Sequence, residues 1–230
     1  TRLVSPSSSV RVGGNAVLQA GSIVALASIQ IGGELGTATL ASLSAATITA
    51  GAVTGAGTVD ATELALDSTT ASYNSAPIAF APGSQVRFTN LRINRNTALS
   101  GHVNIPGDVV VGVSRYAYLS LAGWRMSVGG NVSIPSYLGA IRMTNANDLL
   151  DISRNFTTSG DSSSVWTAGV LRVAGNLSVT TAGAFAASGG HRTELVGLGT
   201  TVFLAAPATG ASSNHFDHLQ VRGTVFVSPS

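Results

Sequence analysis

Hydrophobic and polar residues alternate along much of this chain in short runs, and most of the runs end in the same kind of turn. An apolar–x–apolar triplet is followed by a bend that closes on Gly-Asn or a near variant. The pattern occurs at residues 10–15, 29–34, 103–108, 126–131, 151–155 and 171–176. Because successive side chains of a β-strand point to opposite faces, each triplet predicts a short strand with one buried face. Gly and Asn both tolerate a positive φ, so we expect them to supply the bend.

The turn residues recur at a nearly constant spacing in the second half of the chain. Asp108, Asn131, Asn155 and Asn176 follow one another at nearly equal intervals, and Asn15 occupies the same place in an early copy. A period of about 22 residues accommodates two or three short strands, which make one coil of a stacked repeat. The spacing therefore predicts an all-β parallel β-helix, a β-solenoid, and parallel crossovers favour the right-handed form. Stacked Asn side chains at one corner would form an amide ladder.

A β-sandwich is the competing architecture, because it also consists of short strands with frequent turns. The similarity between successive units of this length is what a sandwich does not explain. We expect one solenoid over residues 1–230. Residues 1–84 are rich in Ala, Thr and Gly and predict narrower, irregular coils. Residues 85–230 predict regular coils of about 22 residues each.

The two ends of the sequence resemble each other. Residues 1–7 read TRLVSPS and residues 224–230 read TVFVSPS, an agreement at five of seven positions. We expect either one unit of a tandem array or copies that join head to tail, because solenoids normally cap their open end coils and neither end shows an amphipathic capping helix. Copies of the chain are therefore the first partner that the sequence predicts. The alternative is a chance similarity, since Ser-Pro-Ser is a low-complexity sequence.

Composition narrows the function classes. Only 10% of the residues are charged, against roughly 25% in an average soluble domain, which suits an elongated body covered by Ser, Thr, Asn and Gly. The basic residues are all Arg and are scattered, so a nucleic-acid partner is not expected. No apolar run reaches the roughly 20 residues of a membrane-spanning helix. The absence of Cys excludes disulfides, Cys-bound zinc and Cys nucleophiles, and no cofactor is expected.

Residues 171–227 carry a resemblance to known proteins. They contain LRVAGNLSV, then SGGHRTELVGLGTTVFLAA, then FDHLQVRGTVFV, and the last motif has a counterpart in FTNLRI at residues 88–93. This repeat style resembles bacterial filamentous-haemagglutinin-like adhesins and other large surface β-solenoids, over about residues 85–230. The resemblance implies a bacterial extracellular or cell-surface protein with a structural or adhesive role. It supplies no catalytic, cofactor-binding or metal-ligating residue, so we do not expect an enzyme.

Aromatic residues supply the one candidate binding surface. With the coils aligned on their turn residues, Arg142 and Trp166 both fall at position +11, on an outward column, and Tyr116 and Tyr118 lie nearby. Such a surface would stack on sugar rings or contact a protein at the cell surface. The structural alternative is that these aromatic side chains pack against the flank of the solenoid.

Three other chemistries leave weaker patterns. A polysaccharide-degrading or carbohydrate-binding β-helix is one alternative function, and the enzyme would need carboxylates matched on neighbouring coils, which the sequence does not show. An ice-binding solenoid is a second alternative, but no regular Thr column is visible. The acceptor-like triplets Asn131-Val-Ser, Asn155-Phe-Thr and Asn176-Leu-Ser coincide with the repeat turn, so we interpret them as turn residues and not as glycosylation sites.

Overall fold

A computed structural model of the chain describes residues 2–5, 9–12, 16–25, 28–31, 34–50, 52–55, 58–67, 76–78, 85–114, 116–160, 165–208 and 213–228. These residues form β-strands and turns and contain no α-helix. The predicted all-β class is therefore confirmed.

The described part of the chain contains 24 strands. They are β1 (Arg2–Ser5), β2 (Val10–Val12), β3 (Ala16–Ala25), β4 (Ser28–Ile31), β5 (Glu34–Ala50), β6 (Ala52–Gly55), β7 (Thr58–Leu66), β8 (Ala76–Ile78), β9 (Gln85–Ile93), β10 (Thr97–Leu99), β11 (Val103–Ile105), β12 (Val109–Val111), β13 (Ala117–Ser120), β14 (Arg125–Val128), β15 (Val132–Ile134), β16 (Gly139–Arg142), β17 (Leu149–Ile152), β18 (Phe156–Thr158), β19 (Val170–Val173), β20 (Leu177–Val179), β21 (Arg192–Leu195), β22 (Thr200–Leu204), β23 (His218–Val221) and β24 (Val225–Ser228).

The strands form three parallel sheets that run along one stack of coils. The long sheet follows the path β1-β3-β5-β7-β9-β12-β15-β18-β20-β22-β24, the second sheet is β16-β13-β10-β8, and the third is β11-β14-β17-β19-β21-β23. A regular coil contributes one strand to each sheet, as β11, β12 and β13 do. In later coils, isolated bridges such as Met143 with Trp166 replace the strand of the second sheet. From β9 onward the long sheet contains seven strands, one per turn of the solenoid.

Strand register confirms the predicted repeat. Val109 pairs with Val132, Val132 with Phe156 and Phe156 with Leu177, which places successive coils at the same intervals as the turn residues. From Asp108 to Asn176 these intervals are 23, 24 and 21 residues. Every described strand pair is parallel, which rules out the antiparallel β-sandwich and confirms a parallel β-solenoid with coils of about 22 residues.

The earlier coils are shorter. Ala16 pairs with Leu35 and Ser42 pairs with Thr58, so fewer residues separate these partners than separate partners in the later coils. The next register pair, Thr58 with Gln85, is separated by more residues than either of these. Small side chains fit these narrow coils: Ala45 and Ala61 are buried. Residues 68–75 and 79–84, at the end of the stretch predicted to form irregular coils, lie outside the described residues, as do Asn15 and the outermost residues of both similar ends.

One apolar column runs through the stack from β4 to β24. Its members pair in register from coil to coil and are Ile29, Ile48, Leu64, Leu91, Val109, Val132, Phe156, Leu177, Val202 and Val227. All of them except Val227 are at most 3% exposed. A single coil cannot shield such a face, so each coil is stabilised mainly by the coils above and below it.

The turn residues form the predicted side-chain ladder along one corner. Asn131 donates its backbone N–H and its Nδ2 to Asp108 Oδ1, at 2.7 and 3.0 Å. Asn155 makes the same two bonds to Asn131 Oδ1, and the backbone N–H of Asn176 donates to Asn155 Oδ1 at 2.8 Å. The ladder also extends in both directions, to Asn90 before Asp108 and to Thr201 after Asn176. Asp108, Asn131, Asn155 and Asn176 are thus structural turn residues.

The expected reason for glycine in this turn is wrong. No described ladder residue, and no glycine directly before one, has a positive φ. A Cβ at Gly107 or Gly130 would instead lie within 3.0 Å of the ladder oxygen one coil earlier, Asn90 Oδ1 or Asp108 Oδ1 respectively. Glycine is needed at these two positions because the ladder oxygen of the preceding coil occupies the space that a Cβ would fill.

Charge repulsion tests the ladder directly. In N131D, a carboxylate replaces the amide that donates to Asp108, so two negative groups would lie in contact. We expect N131D to lower the free energy of unfolding by about 1–2 kcal/mol at pH 7. Protonation removes the repulsion, so most of this loss should disappear as the pH falls to about 4. Urea denaturation at both pH values measures the change.

The matched control is N155D, which loses the equivalent Nδ2 bond but has the neutral Asn131 and Asn176 as ladder neighbours. We expect N155D to be less destabilised than N131D at pH 7 and to depend less on pH. Equal losses in the two variants at both pH values would contradict the ladder contact between Asp108 and Asn131.

Candidate binding surfaces: an aromatic cleft and an open apolar coil

The second sheet presents an aromatic surface because its strands alternate strictly. In β13, Ala117 and Leu119 are buried while Tyr118 faces outward, and in β16, Ile141 is buried while Arg142 is exposed. This is the period-2 pattern that a half-buried strand requires. The outward positions of the two strands therefore lie side by side on neighbouring coils.

Tyr118 and Arg142 form a stacked pair on this surface. In register, Tyr118 faces the small Ala140, and Arg142 lies two residues further along the strand. The guanidinium carbon of Arg142 is 3.9 Å from the centroid of the Tyr118 ring, the geometry of a cation–π contact. The Tyr118 backbone N–H donates to Asn96 Oδ1 at 3.2 Å, which ties this strand to the coil before it.

Two further tyrosines stand beside this pair at the preceding turns. The Tyr116 and Tyr137 rings meet edge to face, with centroids 6.1 Å apart, and both side chains are more than half exposed. Ser136 fixes the second turn by donating its hydroxyl to the carbonyl of Gly112 at 2.9 Å. A Cβ at Gly112 would collide with the Gly139 backbone, so glycine permits the close approach of the two turns.

Together these residues enclose a cleft of about 280 Å³. Its lining includes Asn96, Tyr116, Tyr118, Tyr137 and Arg142, with small and apolar residues between them. The sequence predicted Tyr116, Tyr118 and Arg142, and the structure brings these three together. Tyr137 was missed, because it lies in an irregular turn and not at a repeat position.

The expected place of Trp166 is wrong: its side chain is fully buried. Trp166 bridges to Met143 and not to Arg142. Met143 is twelve residues after Asn131, whereas Trp166 is eleven residues after Asn155, so this part of the coil is one residue shorter. A shift of one residue exchanges the two faces of a strand, so alignment on the turn residues assigned Trp166 to the wrong face.

Trp166 belongs to a buried aromatic cluster within the coils. Its ring centroid is 5.7 Å from that of Phe156, 5.0 Å from Phe185 and 5.5 Å from His191. His191 Nδ1 contacts the carbonyl oxygen of Ala168 at 2.9 Å, while its Nε2 and the Trp166 Nε1 are buried without a hydrogen-bond partner. Burial lowers the pKa of His191, against the opposing effects of the Ala168 carbonyl, Asp217 and Asp148. The imidazole is therefore held in its neutral form.

Charged residues on the third sheet form a column of ion pairs. Arg125 pairs with Asp151 at 2.7 Å, and Arg172 lies between Asp151 and Glu194. Arg192 makes a second contact to Glu194, at 2.9 Å. Burial would raise the pKa of Glu194, but the hydrogen bond from Arg172 and the nearby guanidinium charges outweigh it, and the pKa is lowered. Glu194 is therefore ionised, and both carboxylates are paired with arginines.

Asp148 is also fully engaged. Its carboxylate accepts the backbone N–H groups of Gly123, Thr144 and Asn145, at 2.6, 2.8 and 2.9 Å, and it is 1% exposed. Asp148 and Asp151 are close in sequence, but one closes a buried turn and the other faces outward into the ion-pair column. They do not form a facing pair of carboxylates of the kind that glycoside hydrolysis uses.

Threonine columns, metal-ligand groups and membrane-spanning segments are the remaining features to consider. In the described strand pairs, no Thr is in register with a Thr of the next coil. Within the described residues, no three His, Cys, Asp or Glu side chains group as a metal site would require. The same part of the chain has no helical segment with the length and apolar character needed to cross a bilayer.

The last described coil exposes side chains that its predecessors bury. Val227 is 78% exposed, whereas its register partner Val202 is 3% exposed. On the third sheet, Val221 is 44% exposed, whereas Leu195 beneath it is fully buried. Leu219 of the same strand is 46% exposed. We call these three residues, Leu219, Val221 and Val227, the open apolar coil.

No protein-family model, no curated protein and no solved structure matches this chain.

Proposed function

We propose that this chain is a structural and adhesive β-solenoid module of an extracellular surface fibre, and that it lengthens by stacking onto a further parallel coil. The open apolar coil carries this proposal. Its side chains continue columns that are buried in every earlier regular coil, and β23 and β24 are edge strands of their sheets. An uncovered edge of this kind is a template for another strand.

The occupant best suited to this edge is a coil of a second copy of the same sequence. β1 and β24 lie at the two ends of the long sheet, within the two similar end segments, and read Arg-Leu-Val-Ser and Val-Phe-Val-Ser. β1 pairs in parallel with β3, from Arg2 with Ser22 to Ser5 with Ala25. In a tandem array, β24 would take the place of β1 and pair with β3 of the next unit in this register. Between separate chains, β24 would pair with the open edge of β1, because β3 already lies between β1 and β5.

Composition and surface chemistry support the extracellular and adhesive part of the proposal. The outward faces carry Ser, Thr, Asn and paired ions in place of dense charge, and the chain has no Cys. The resemblance of residues 85–230 to filamentous-haemagglutinin-like repeats points the same way. In this role the solenoid is a rigid spacer, because its length grows with the number of coils.

Sedimentation velocity and electron microscopy of the 230-residue chain test head-to-tail stacking. We expect concentration-dependent association into end-to-end oligomers or filaments. The double variant L219K/V227K places two charges on the open apolar coil and should abolish association, because a charge buried without a partner is costly. The control is Q220K, on the same strand but at an outward register position, which should associate as the unmodified chain does.

Strictly monomeric behaviour of the unmodified chain at high concentration would overturn stacking between separate copies. Equal loss of association in L219K/V227K and Q220K would also overturn it, because the effect would then come from charge and not from the apolar coil.

A further inference from the structure

We propose that the cleft formed by Tyr116, Tyr118, Tyr137 and Arg142 binds one acidic pyranose residue of a glycan. This site lies on the flank of the second sheet, away from β23 and β24, and does not depend on end-to-end stacking. The proposal rests on three features of the cleft: its aromatic walls, its cation and its size.

The aromatic walls suit the apolar face of a sugar ring. Tyr116 and Tyr137 are 60% and 65% exposed, although each carries a large apolar ring. Their edge-to-face contact holds the two rings at 71° to one another, so they form a corner and not a flat patch. Tyrosine combines an apolar body with a polar tip, which matches a pyranose that presents C–H groups on its face and hydroxyls at its rim.

Arg142 gives the cleft its preference for an acid. No carboxylate among the described residues lies within ion-pair distance of Arg142, whereas Arg92, Arg125, Arg172 and Arg192 all have such a partner. The contact with Tyr118 holds the guanidinium over the face of the ring, 3.9 Å from its centroid. A planar guanidinium in a fixed orientation donates two parallel hydrogen bonds to a carboxylate, so the charge would be recognised together with its geometry.

The size of the cleft limits the ligand to a small group. Its volume of about 280 Å³ is just below the range of about 300–1,000 Å³ for small-molecule sites. Outward side chains from two neighbouring coils line it, and the cleft is open to solvent along the flank. A sugar residue within a longer glycan can therefore enter while its neighbours remain outside, which favours a uronic acid unit over a compact protein epitope.

Binding of trigalacturonate to the full chain, measured by a saturation-transfer NMR titration, tests this proposal. We expect saturable binding at millimolar or lower concentration, with about tenfold weaker binding of the neutral methyl ester of the same trisaccharide. R142M should weaken trigalacturonate binding about tenfold as well, because it removes the donor of charge-assisted hydrogen bonds. Y118L should weaken the binding of both sugars, because it removes a ring wall.

The control variant is R154M, which removes an exposed arginine at the ladder corner, outside the cleft, and should bind as the unmodified chain does. Circular dichroism of each variant verifies that the solenoid is intact. Absence of saturable trigalacturonate binding would overturn the proposal. Equal affinity for the methyl ester, equal effects of R142M and R154M, or equally tight binding of an oligoglutamate peptide would overturn it too, since each removes the acidic sugar as the recognised group.

Discussion

Replacing Trp166 by alanine is expected to lower the free energy of unfolding by about 3–5 kcal/mol, the range for a large aromatic side chain removed from a packed core. Trp166 is fully buried and contacts the rings of Phe156, in its own coil, and of Phe185 and His191, in the next coil. The cavity would therefore open between coils, where the cooperativity of the stack originates. Urea or guanidinium denaturation followed by circular dichroism measures the loss.

Trp124 supplies the matched control, because the same substitution removes the same number of atoms at an exposed site. Its indole is 36% exposed and meets His102 edge to face, with a centroid distance of 5.3 Å. We expect W124A to cost about 1 kcal/mol or less. If W166A and W124A reduced stability equally, the inward position of Trp166 would be wrong.

Replacing Gly130 by alanine is expected to cost about 3 kcal/mol, a large effect for one methyl group. The new Cβ would lie within 3.0 Å of Asp108 Oδ1 and of the Gly107 carbonyl group. Displacing Asp108 would weaken the two ladder bonds from Asn131, each worth about 1 kcal/mol, and moving the backbone adds the cost of overpacking. Thermal and chemical denaturation should both show the loss.

Gly101 provides the comparison for Gly130. It lies in a turn where no atom comes within 4 Å of the position that an alanine Cβ would take, and its φ is outside the left-handed region. We expect G101A to change stability by no more than about 0.5 kcal/mol. A G130A variant as stable as G101A would show that the ladder oxygen does not occupy the space beside Gly130.

The fold was predictable because the residues that recur in the sequence are the turn residues, and each of them marks one coil. The steps from Asp108 to Asn131, Asn155 and Asn176 equal the register steps of the strands, since both count one turn of the same stack. The role of glycine was not predictable from a single coil. It depends on an oxygen atom of the coil before, and a preference for positive φ explains other glycines, such as Gly112, but not Gly107 or Gly130.

The candidate site was predictable only in part, because the number of residues between the ladder and the second sheet differs from coil to coil. Tyr118 and Arg142 lie on adjacent regular strands, and their shared outward face follows from alternation alone. Trp166 lies after a coil segment shortened by one residue, so alternation gave the opposite face. The repeat pattern did not predict Tyr137, because the position of this side chain depends on an irregular turn that Ser136 fixes. The open apolar coil likewise required three-dimensional register, since Val227 and Val202 have the same side chain and differ only in what covers them.

The ladder has a consequence for how such a chain can change in evolution. Its consecutive members are separated by 18, 23, 24, 21 and 25 residues, yet each oxygen still meets the backbone N–H of the next coil. The ladder therefore needs one residue from each coil, whatever the number of residues in that coil. Small insertions and deletions between ladder residues alter only the loops between strands, whereas duplication of a whole coil leaves every bond type intact. Variation in the gene is accordingly expected as loop-length polymorphism within coils and as gain or loss of complete coils.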